Sequence, residues 1–599
     1  MTQKIARRSV PDSYKNIDGI PLFLKRIYSA RGISSNAELS LSLKRLHNSD
    51  YLLGLEAAVK LLTDAIQHRH KIIIVGDFDC DGATSTALAM HALKAMGAVD
   101  CQYLVPNRFE FGYGLTPGIV ELAASFKPDL IVTVDNGISS IEGAETAKKL
   151  GIKVLVTDHH LPGDQLPDVD AIVNPNQHGC QFQSKNAAGV GVIFYVLNHL
   201  RSVLREMSWF KTRGIQEPNM GHYLDLVALG TVADLVPLDR NNRILVEQGL
   251  QRIRAGRCRP GIKALLAQAQ KKPGQIKASD MGFIVGPRLN AAGRLDDMSL
   301  GIECLLAEDD VQANQLANKL DQLNQERKTI EQEMKLDAEE YLKALDLSLG
   351  HEQSKWGLCL YEAHWHQGVI GILASRIKER CHRPVIAFAP EDTDPHSLKT
   401  ILKGSARSIP GFHMRDALDL IAKRHPDILS KFGGHAMAAG MSIEKKHLDI
   451  FSEAFDRVVK ETLCKDDLNV IFQSDGEMLS DDLTLDNVRL LENSGPWGQQ
   501  FPEPSFDGIF NVVQVRILKD SHLKLVLSAP GETALFDAIQ FNSPVITNGK
   551  VSVDNQKIRI VYRPNINEFR GRQSVQFMID YIELAQDVSK GEHDVPVFS

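Results

Sequence analysis

The chain has 599 residues, which is too long for one hydrophobic core and predicts several domains. Its formal net charge of −7 excludes a globally basic nucleic-acid binder, although a local basic patch remains compatible with such a partner. The cysteines are scattered without a Cys-x-x-Cys pair, which argues against a zinc site or a disulfide framework and favours a reducing compartment. With no secretory signal and no run of roughly 20 apolar residues, we expect a cytoplasmic protein without membrane spans.

Hydrophobic periodicity changes several times along the chain. Strand and helix patterns alternate in two regions, a long amphipathic helix lies between them at 311–345, and period-two alternation follows. The predicted fold class is α/β, with two α/β domains joined by a long helix and a small antiparallel β-barrel at the C-terminus. The predicted segments are an N-terminal helical extension at 1–50, a first α/β domain at 51–245, a helical connector at 246–345, a second α/β domain at 346–462, a barrel domain at 466–585 and a disordered tail at 586–599.

Very apolar runs in the first α/β domain end in aspartate or histidine, at residues 71–82, 129–137 and 153–160. Short β-branched runs of this kind, separated by helical patterns, indicate buried parallel strands. The carboxyl ends of such strands form the ligand crevice of an open α/β sheet, so these acids and imidazoles should converge. Clustered carboxylates repel one another unless protons or metal ions compensate them. The pattern therefore predicts a metal site.

The first run supplies several aspartates. Asp77, Asp79 and Asp81 alternate along what we predict to be an extended segment, so their side chains should share one face. A helix is predicted to begin near Ala83, after Gly82 has turned the backbone. A single aspartate at this point would be explained as a helix N-cap, but this group exceeds what one cap needs. We therefore interpret these residues as metal ligands.

Two later runs and one further motif extend the candidate set. Asp135 ends the second run and Asp158-His159-His160 ends the third, where imidazole beside carboxylate oxygens suits manganese or other first-row metals. A structural role is the alternative for the histidine pair, and we favour ligands because aspartates lie next to it. Asp234 lies in an apolar stretch, where an unpartnered carboxylate is costly. It either caps a helix or completes the metal set.

Taken in order, these motifs resemble the DHH phosphoesterase superfamily, and further motifs resemble the RecJ single-stranded-DNA exonucleases within it. The resemblance covers roughly residues 15–585. It departs from the family pattern at Gln500-Phe501, where the family usually has Gly-Asn, far from the chemistry. The motifs of this chain are Asp77-Phe78-Asp79-Cys80-Asp81-Gly82, Val134-Asp135-Asn136-Gly137, Asp158-His159-His160, Gly230-Thr231-Val232-Ala233-Asp234, Pro106–Leu115, Pro287–Arg294, Gly404–Arg407, Gly433–Gly440 and Gly495–Gly498.

The resemblance implies a DHH domain, a DHH-associated domain, an OB-like barrel and two bound divalent metal ions, with manganese preferred or magnesium in its place. It implies that Asp135 bridges the two ions and that His160 faces the scissile phosphate, which makes both catalytic. The implied metal ligands are Asp79 and Asp135 for the first ion, with Asp77 close to it, and Asp81, Asp135, His159 and Asp234 for the second.

The resemblance also implies a set of substrate-binding residues. Gly404 and Ser405 would present backbone donors to a phosphate, and Arg407 would pair with it bidentately. For Arg108 and Arg294 the alternative is a surface salt bridge. For His435 the alternative is a turn with a buried histidine. The full set is Arg108, Asn290, Arg294, Gly404, Ser405, Arg407 and His435.

Two further regions are candidates for contact with nucleic acid. Eight arginines and lysines lie between Glu247 and Asp280 with no acid among them, and they either form a solvated basic face or track a phosphate backbone. The barrel resembles an OB fold, which binds single strands through a basic groove and stacked aromatic rings. Its candidate residues are Tyr562, Arg563, Phe569, Arg570 and Arg572, with turn anchoring as the alternative for Phe569.

The resemblance implies a metal-dependent 5′-to-3′ exonuclease that hydrolyses single-stranded DNA to mononucleotides in DNA repair and recombination. The residue chemistry alone predicts only metal-dependent phosphodiester hydrolysis. The alternatives are an oligoribonuclease or cyclic-dinucleotide phosphodiesterase of the same superfamily, and a non-catalytic replication scaffold. The implied partners are single-stranded DNA, a single-stranded-DNA-binding protein and a RecQ-type helicase, and we expect a monomer with no membrane partner.

Overall fold

The computed structural model describes residues 3–106, 114–349, 355–391, 401–429, 431–519, 521–544, 546–547, 550–551, 553 and 556–585. The chain forms two compact units, one of residues 5–286 and 471–599 and the other of residues 1–4 and 287–470. The first α/β sheet and the barrel belong to the former unit, and the second α/β sheet belongs to the latter. Among these described residues, no helix is both long and apolar enough to cross a bilayer.

The N-terminal segment contains a strand in addition to helices. The strand pairs with residues 470–474 in a two-stranded sheet. A strand of five residues whose partner lies near the other end of the chain leaves no local periodicity, so the helical prediction for residues 1–50 missed it. The elements here are β1 (Gln3–Arg7), α1 (Leu22–Ser29) and α2 (Asn36–Leu39).

The first α/β domain is built on a parallel sheet, as the apolar runs predicted. Its elements are α3 (Leu55–His68), β2 (Lys71–Gly76), α4 (Cys80–Ala95), β3 (Asp100–Leu104), α5 (Pro117–Ser125), β4 (Leu130–Val134), α6 (Ile141–Lys149), β5 (Lys153–Thr157), β6 (Ala171–Val173) and α7 (Gly189–Glu206). The strand order is β3-β2-β4-β5-β6 and every pair is parallel. All carboxyl ends therefore lie at one edge of the sheet.

A helical region follows the sheet within the same unit. It comprises α8 (Trp209–Arg213), α9 (Leu224–Ala233), α10 (Arg240–Arg254), α11 (Pro260–Gln268), α12 (Ala278–Asp280) and a π-helical turn at Met281–Val285. Much of the basic run is ion-paired with acids supplied by the fold. The pairs are Arg254 with Glu247, Arg259 with Asp225, Lys271 with Asp280 and Lys277 with Glu492. These four cations are paired with acids, and Lys271 and Lys277 remain partly exposed to solvent.

The second unit contains the predicted long helix and a mixed sheet. Its strands run in the order β10-β11-β9-β8-β7, with β7 and β8 parallel and the other pairs antiparallel. The elements are α13 (Gly286–Leu295), whose first residue belongs to the first unit, α14 (Ser299–Leu306), α15 (Asp310–Leu349), β7 (Leu358–Tyr361), α16 (Ile370–Cys381), β8 (Val385–Pro390), β9 (Ile401–Arg407), α17 (Met414–Arg424), β10 (Lys431–Gly434), β11 (Ala438–Glu444) and α18 (Leu448–Thr462).

The C-terminal strands close into a barrel, which confirms the predicted barrel. Its order is β13-β14-β15-β19-β18, and β15 pairs with β19 in parallel, so the prediction of a wholly antiparallel barrel was wrong. The elements are β12 (Val470–Ser474), α19 (Leu485–Asn493), β13 (Phe506–Leu518), β14 (His522–Ser528), β15 (Leu535–Gln540), β16 (Ile546–Thr547), β17 (Lys550–Val551), β18 (Lys557–Phe569) and β19 (Arg572–Leu584). The tail predicted at 586–599 lies outside the described residues.

Two of the barrel residues proposed for stacking or phosphate contact have structural roles instead. Tyr562 is 0% exposed, and its ring centroid lies 4.2 Å from that of Phe577 inside the barrel. Arg563 is paired with Asp580 at 2.9 Å and Glu503 at 3.1 Å. Tyr562 is thus a core residue, because the strand places it on the inner face. The side chain of Phe569 lies outside the described part of the chain.

Candidate metal centre

The parallel sheet brings the predicted acids and histidines to one edge. Asp77 follows β2, Asp135 follows β4, and the Asp158-His159-His160 motif follows β5. Because these strands are parallel neighbours, residues that follow them in sequence become neighbours in space. Two helices complete the group: Asp81 lies in the first turn of α4 and Asp234 is the C-cap of α9.

The Asp-x-Asp-x-Asp motif is not extended as predicted. Helix α4 already begins at Cys80, and Asp79 is its N-cap, accepting hydrogen bonds from the backbone N–H of Asp81 at 2.9 Å and of Gly82 at 3.0 Å. A side chain at Gly82 would place its Cβ 2.4 Å from the carbonyl oxygen of Asp77. The glycine therefore lets the helix start directly against the strand end. The aspartates converge because a helix begins here, and not because they alternate along a strand.

Asp81 is buried where three helices meet. Its Oδ2 accepts a hydrogen bond from the backbone N–H of Gly189 at 2.6 Å, and its Oδ1 accepts one from Val190 at 3.0 Å. These donors form the N-terminus of α7, whose dipole favours a negative charge. On α9, a Cβ at Gly230 would lie 2.6 Å from Asp81 Oδ1, so this residue must stay small.

Asp135 and Asp234 both approach the ring of His159. His159 Nε2 lies 3.1 Å from Asp135 Oδ1 and 3.4 Å from Asp234 Oδ2. Asp135 has a φ of +64°, a left-handed conformation that a bulky residue would rarely adopt, and a Cβ at Gly189 would lie 2.6 Å from its side chain. Asp234 therefore lies at the C-terminal end of α9 with its carboxylate close to His159, and its role as a metal ligand stays a prediction.

His160 is held by Asp158, a role that the sequence analysis did not assign. The Nδ1–H of His160 donates to Asp158 Oδ1 at 2.7 Å, and Asp158 Oδ2 accepts from the backbone N–H of Ile138 at 2.9 Å. Burial opposes the charged ring, but the hydrogen bond and charge of Asp158 outweigh burial and raise the pKa of His160 to about 9. The adjacency of Asp158 to the histidines in the motif was the available signal for this orienting contact.

The carboxylates of the group are strongly coupled. Burial, followed by the charge of Asp79, raises the pKa of Asp81 to about 7. Burial and the charge of Asp81 likewise raise the pKa values of Asp135 and Asp234. In the absence of a cation these acids hold protons at a pH where exposed aspartates are ionised.

The donor set fits divalent cations. The potential ligand atoms fall into groups whose members all lie within 4.8 Å of one another: Asp77, Asp79 and Asp135; Asp81, His159 and Asp234; and Asp135, His159 and His160. Asp135 belongs to the first and third groups, and it also contacts His159 of the second, which is the position a bridging ligand needs. Carboxylate oxygens with an imidazole nitrogen suit manganese well and magnesium less well.

The predicted substrate-binding residues lie mainly in the other unit. Ser405 and Arg407 point to the same face of β9, and Arg407 donates to Ser405 Oγ at 3.1 Å. Gly404 faces the core, where a Cβ would lie 2.5 Å from the ring of Phe388. Because β9 is an inner strand paired on both sides, its backbone donors are engaged in the sheet. The predicted presentation of backbone donors by Gly404 and Ser405 was therefore wrong. The side chains of Ser405 and Arg407 are the donors on this strand that could still contact a phosphate.

The other members of the set differ in their surroundings. Asn290 and Arg294 lie on α13, and Arg294 donates to the carbonyl of Gly368 at 3.1 Å. His435 lies in the turn after β10 with an exposed side chain, so the alternative of a buried histidine was wrong. Arg108 lies outside the described residues.

Comparison with known families follows the same division of the chain. The family model for the DHH family, N-terminal domain, matches residues 71–231. The DHHA1 domain matches residues 355–461, and the RecJ OB domain matches residues 474–581. The matched regions contain, respectively, the parallel sheet, the mixed sheet and the closed barrel.

Individual proteins are similar over nearly the whole length. The chain is 52% identical to the single-stranded-DNA-specific exonuclease RecJ of Dickeya dadantii, over 94% of this chain and 96% of that protein. A crystal structure of RecJ from Thermus thermophilus in complex with Mn²⁺ matches with a TM-score of 0.77 and 25% identity, over 99% of this chain and 81% of that one. The Mg²⁺ complex of the Thermus protein has the same fold, with a TM-score of 0.72 at 24% identity over 98% and 78% of the two chains. This chain therefore belongs to the RecJ family of DHH phosphoesterases.

Proposed function

We propose that this protein is a metal-dependent exonuclease that hydrolyses single-stranded DNA from the 5′ end and releases mononucleotides. The observation that carries the proposal is the convergence of acids and imidazoles at the carboxyl edge of one parallel sheet. The chain also contains a match to the RecJ OB domain, and its relatives are named single-stranded-DNA-specific exonucleases. The polarity and the mononucleotide product rest on the family resemblance.

We assign the metal ligands by the grouping of their atoms. Asp77, Asp79 and Asp135 are proposed to hold one ion, and the other is proposed to be held by the set Asp81, Asp135, His159 and Asp234, with Asp135 bridging. Manganese is the proposed preferred ion and magnesium the substitute. When bound by these residues, two such ions would supply a nucleophilic water at neutral pH and would compensate charge on the phosphoryl oxygens.

Side chains of both units are proposed to bind the substrate. Asp158 orients the ring of His160 through Nδ1, and we propose that this ring faces the scissile phosphate. Arg407 and Ser405 offer side-chain donors for a phosphate oxygen, and Arg407 can do so bidentately. We keep Asn290, Arg294 and His435 as further substrate contacts, together with Arg108 from the family motif.

The rival functions predict different features. A same-superfamily oligoribonuclease or cyclic-dinucleotide phosphodiesterase has no need of an OB barrel, which lengthens a single-strand path. A non-catalytic scaffold has no need to retain coupled buried carboxylates, which are costly without a cation. Both features favour a nuclease that acts on longer single strands.

We also propose the setting in which the enzyme works. It is proposed to act as a monomer in the cytoplasm, on strands that a RecQ-type helicase separates and a single-stranded-DNA-binding protein covers, in DNA repair and recombination. The support is the family resemblance together with the substrate class, since single strands in a cell arise where duplexes are opened. All eight cysteines are free thiols, which agrees with a reducing compartment.

Digestion of end-labelled oligonucleotides tests the activity. Single-stranded DNA, duplex DNA and RNA of one sequence are each incubated with manganese, magnesium or chelator, and products are resolved over time. We expect single-stranded DNA to be shortened from the 5′ end to mononucleotides with manganese and to remain intact with chelator. Preferential digestion of RNA would favour the oligoribonuclease rival, and no hydrolysis of any of these substrates would favour the scaffold.

A further inference from the structure

Phe283 is a phenylalanine that the fold holds exposed at the middle of a short, anchored turn. Its side chain is 78% exposed, whereas Met281 and Val285 at the two ends of the same π-helical turn are 0% exposed. The two buried ends anchor the backbone of the turn. Single π-helical turns are rare and occur frequently at functional sites.

The turn lies directly beside the candidate metal centre. A Cβ at Gly282 would lie 3.2 Å from Val232 Cγ1, and a Cβ at Gly286 would lie 3.2 Å from the Cβ of Ala233. Val232 and Ala233 immediately precede Asp234, whose carboxylate lies 3.4 Å from His159 Nε2. The small residues of the turn thus pack it against the last turn of α9, next to an acid of the centre.

A second exposed apolar side chain adjoins the same acid. Leu235 follows Asp234, is 63% exposed, and has a φ of +59°, a conformation that is strained for a residue other than glycine. Phe283 and Leu235 thus add exposed apolar side chains to the two segments that pack together at the last turn of α9. Exposure of these apolar side chains to water is unfavourable, and the flat face of a nucleobase would cover them.

We propose that Phe283 stacks on a nucleobase next to the phosphate being cleaved, with Leu235 packing at the edge of that base. The inference rests on the proposed function, because the occupant is the single-stranded substrate. The acids of the centre engage phosphate through cations and carry no group that recognises a base. An aromatic ring accepts every base by its π-face, so it positions the nucleotide without selecting a sequence. Phe283 is thus a positioning residue that sets the register of the phosphate at the metal centre.

Abasic substrates test the stacking contact. Wild type, Phe283→Ala and Phe283→Tyr are compared on a single-stranded 12-mer and on versions with one abasic nucleotide at each of the first positions. We expect Phe283→Ala to lower kcat/KM on the normal strand about tenfold, and Phe283→Tyr to remain near wild type, because one base stack makes a difference of this order. At the one abasic position that removes the stacked base, wild type and Phe283→Ala should become equal.

A matched control and a second readout separate positioning from folding. Phe126→Ala removes a phenylalanine at the end of α5, on the opposite edge of the sheet, and should leave kcat/KM unchanged. Stabilisation by manganese should be the same in wild type and Phe283→Ala, because the variant leaves the acids of the centre unchanged. A loss in Phe283→Ala that is equal on normal and abasic strands, or no loss at all, overturns the proposal.

Failure of the proposed function has a different signature. In that case wild type itself does not hydrolyse the strand. Fluorescence of 2-aminopurine placed at successive positions, measured with manganese present, then decides the stacking contact alone. Quenching in wild type that is absent in Phe283→Ala supports the contact, and identical fluorescence in both overturns it.

Discussion

Arg31 and Asp475 form a buried two-point ion pair across 444 residues of sequence. Arg31 Nη1 lies 2.7 Å from Asp475 Oδ1 and Arg31 Nη2 lies 2.9 Å from Oδ2. The side chains are 1% and 2% exposed. Asp475 precedes the barrel, and Arg31 follows α1, so the pair fastens the N-terminal segment to the barrel domain. A second ion pair, in which Arg7 is half exposed, joins Arg7 to Asp507 at 2.9 Å.

Removing one member of the buried pair should destabilise the protein strongly. Asp475→Ala leaves the Arg31 guanidinium buried without its carboxylate, which we expect to cost about 3–5 kcal/mol of unfolding free energy. Denaturant and thermal unfolding measure the effect. The control is Lys15→Ala, which breaks an exposed pair with Asp12 and should cost about 1 kcal/mol or less. Replacing both Arg31 and Asp475 by apolar residues should cost less than the single change, and equal stability of Asp475→Ala and Lys15→Ala would contradict the prediction.

Asp135→Asn should abolish hydrolysis while keeping the fold. Asparagine tolerates the left-handed backbone at this position, and it removes a charge that burial and Asp81 make unfavourable. We expect at least a thousandfold lower kcat on single-stranded DNA with manganese, unchanged or higher thermal stability in chelator, and loss of the stabilisation that manganese provides. Asp12→Asn is an exposed control with no expected effect. Retained activity in Asp135→Asn would sink the bridging assignment.

The metal-free protein should lose stability as the pH rises towards neutrality. The pKa of Asp81 is raised to about 7 in the fold, from an ordinary value of 3.8, chiefly by burial. A group with a raised folded pKa stabilises the fold fully below its unfolded pKa, and this contribution is lost as pH passes the folded pKa. In chelator, the melting temperature should therefore fall between about pH 4 and 7, and the fall should be smaller in Asp81→Asn. With manganese the slope should reverse at the acidic end, because protons compete for the ligands. Profiles of melting temperature against pH that have the same shape in chelator and in manganese would contradict the proposed competition between protons and metal ions at these acids.

Arg407→Ala should weaken substrate binding without disturbing the metal centre. Loss of a charge-assisted contact to phosphate predicts about a tenfold to hundredfold higher KM and a smaller change in kcat, if the contact is equally strong in the ground and transition states. Arg407→Lys should not restore binding, because a lysine cannot pair bidentately. Arg424→Ala, which breaks an exposed pair with Glu461, is the matched control. Collapse of manganese binding with unchanged KM would instead make Arg407 a purely structural residue.

Local sequence predicted which residue types gather at the candidate centre, but it predicted only part of their geometry. The apolar runs before Asp77, Asp135 and Asp158 predicted buried parallel strands, and parallel strands necessarily bring their carboxyl ends to one edge. The assignment of Asp79 and Asp81 to an extended segment was wrong, because the capping hydrogen bonds of Asp79 start α4 earlier than the apolar periodicity does. The contact of Asp158 with His160 was missed because the motif marks the residues and not their hydrogen bonds.

What the sequence by itself determined is what short-range patterns encode: the strand and helix types, the order of the motifs, and which residues carry ligand chemistry. What only the tertiary structure decided is which distant groups meet. The seating of Asp81 on the N-terminus of α7, the burial of Tyr562 in the barrel and the pairing of Arg31 with Asp475 all join segments with no local relation in the chain. Periodicity reports how a segment faces its surroundings over a few residues. Long-range partners are selected by packing and charge compensation once the whole chain has closed around them.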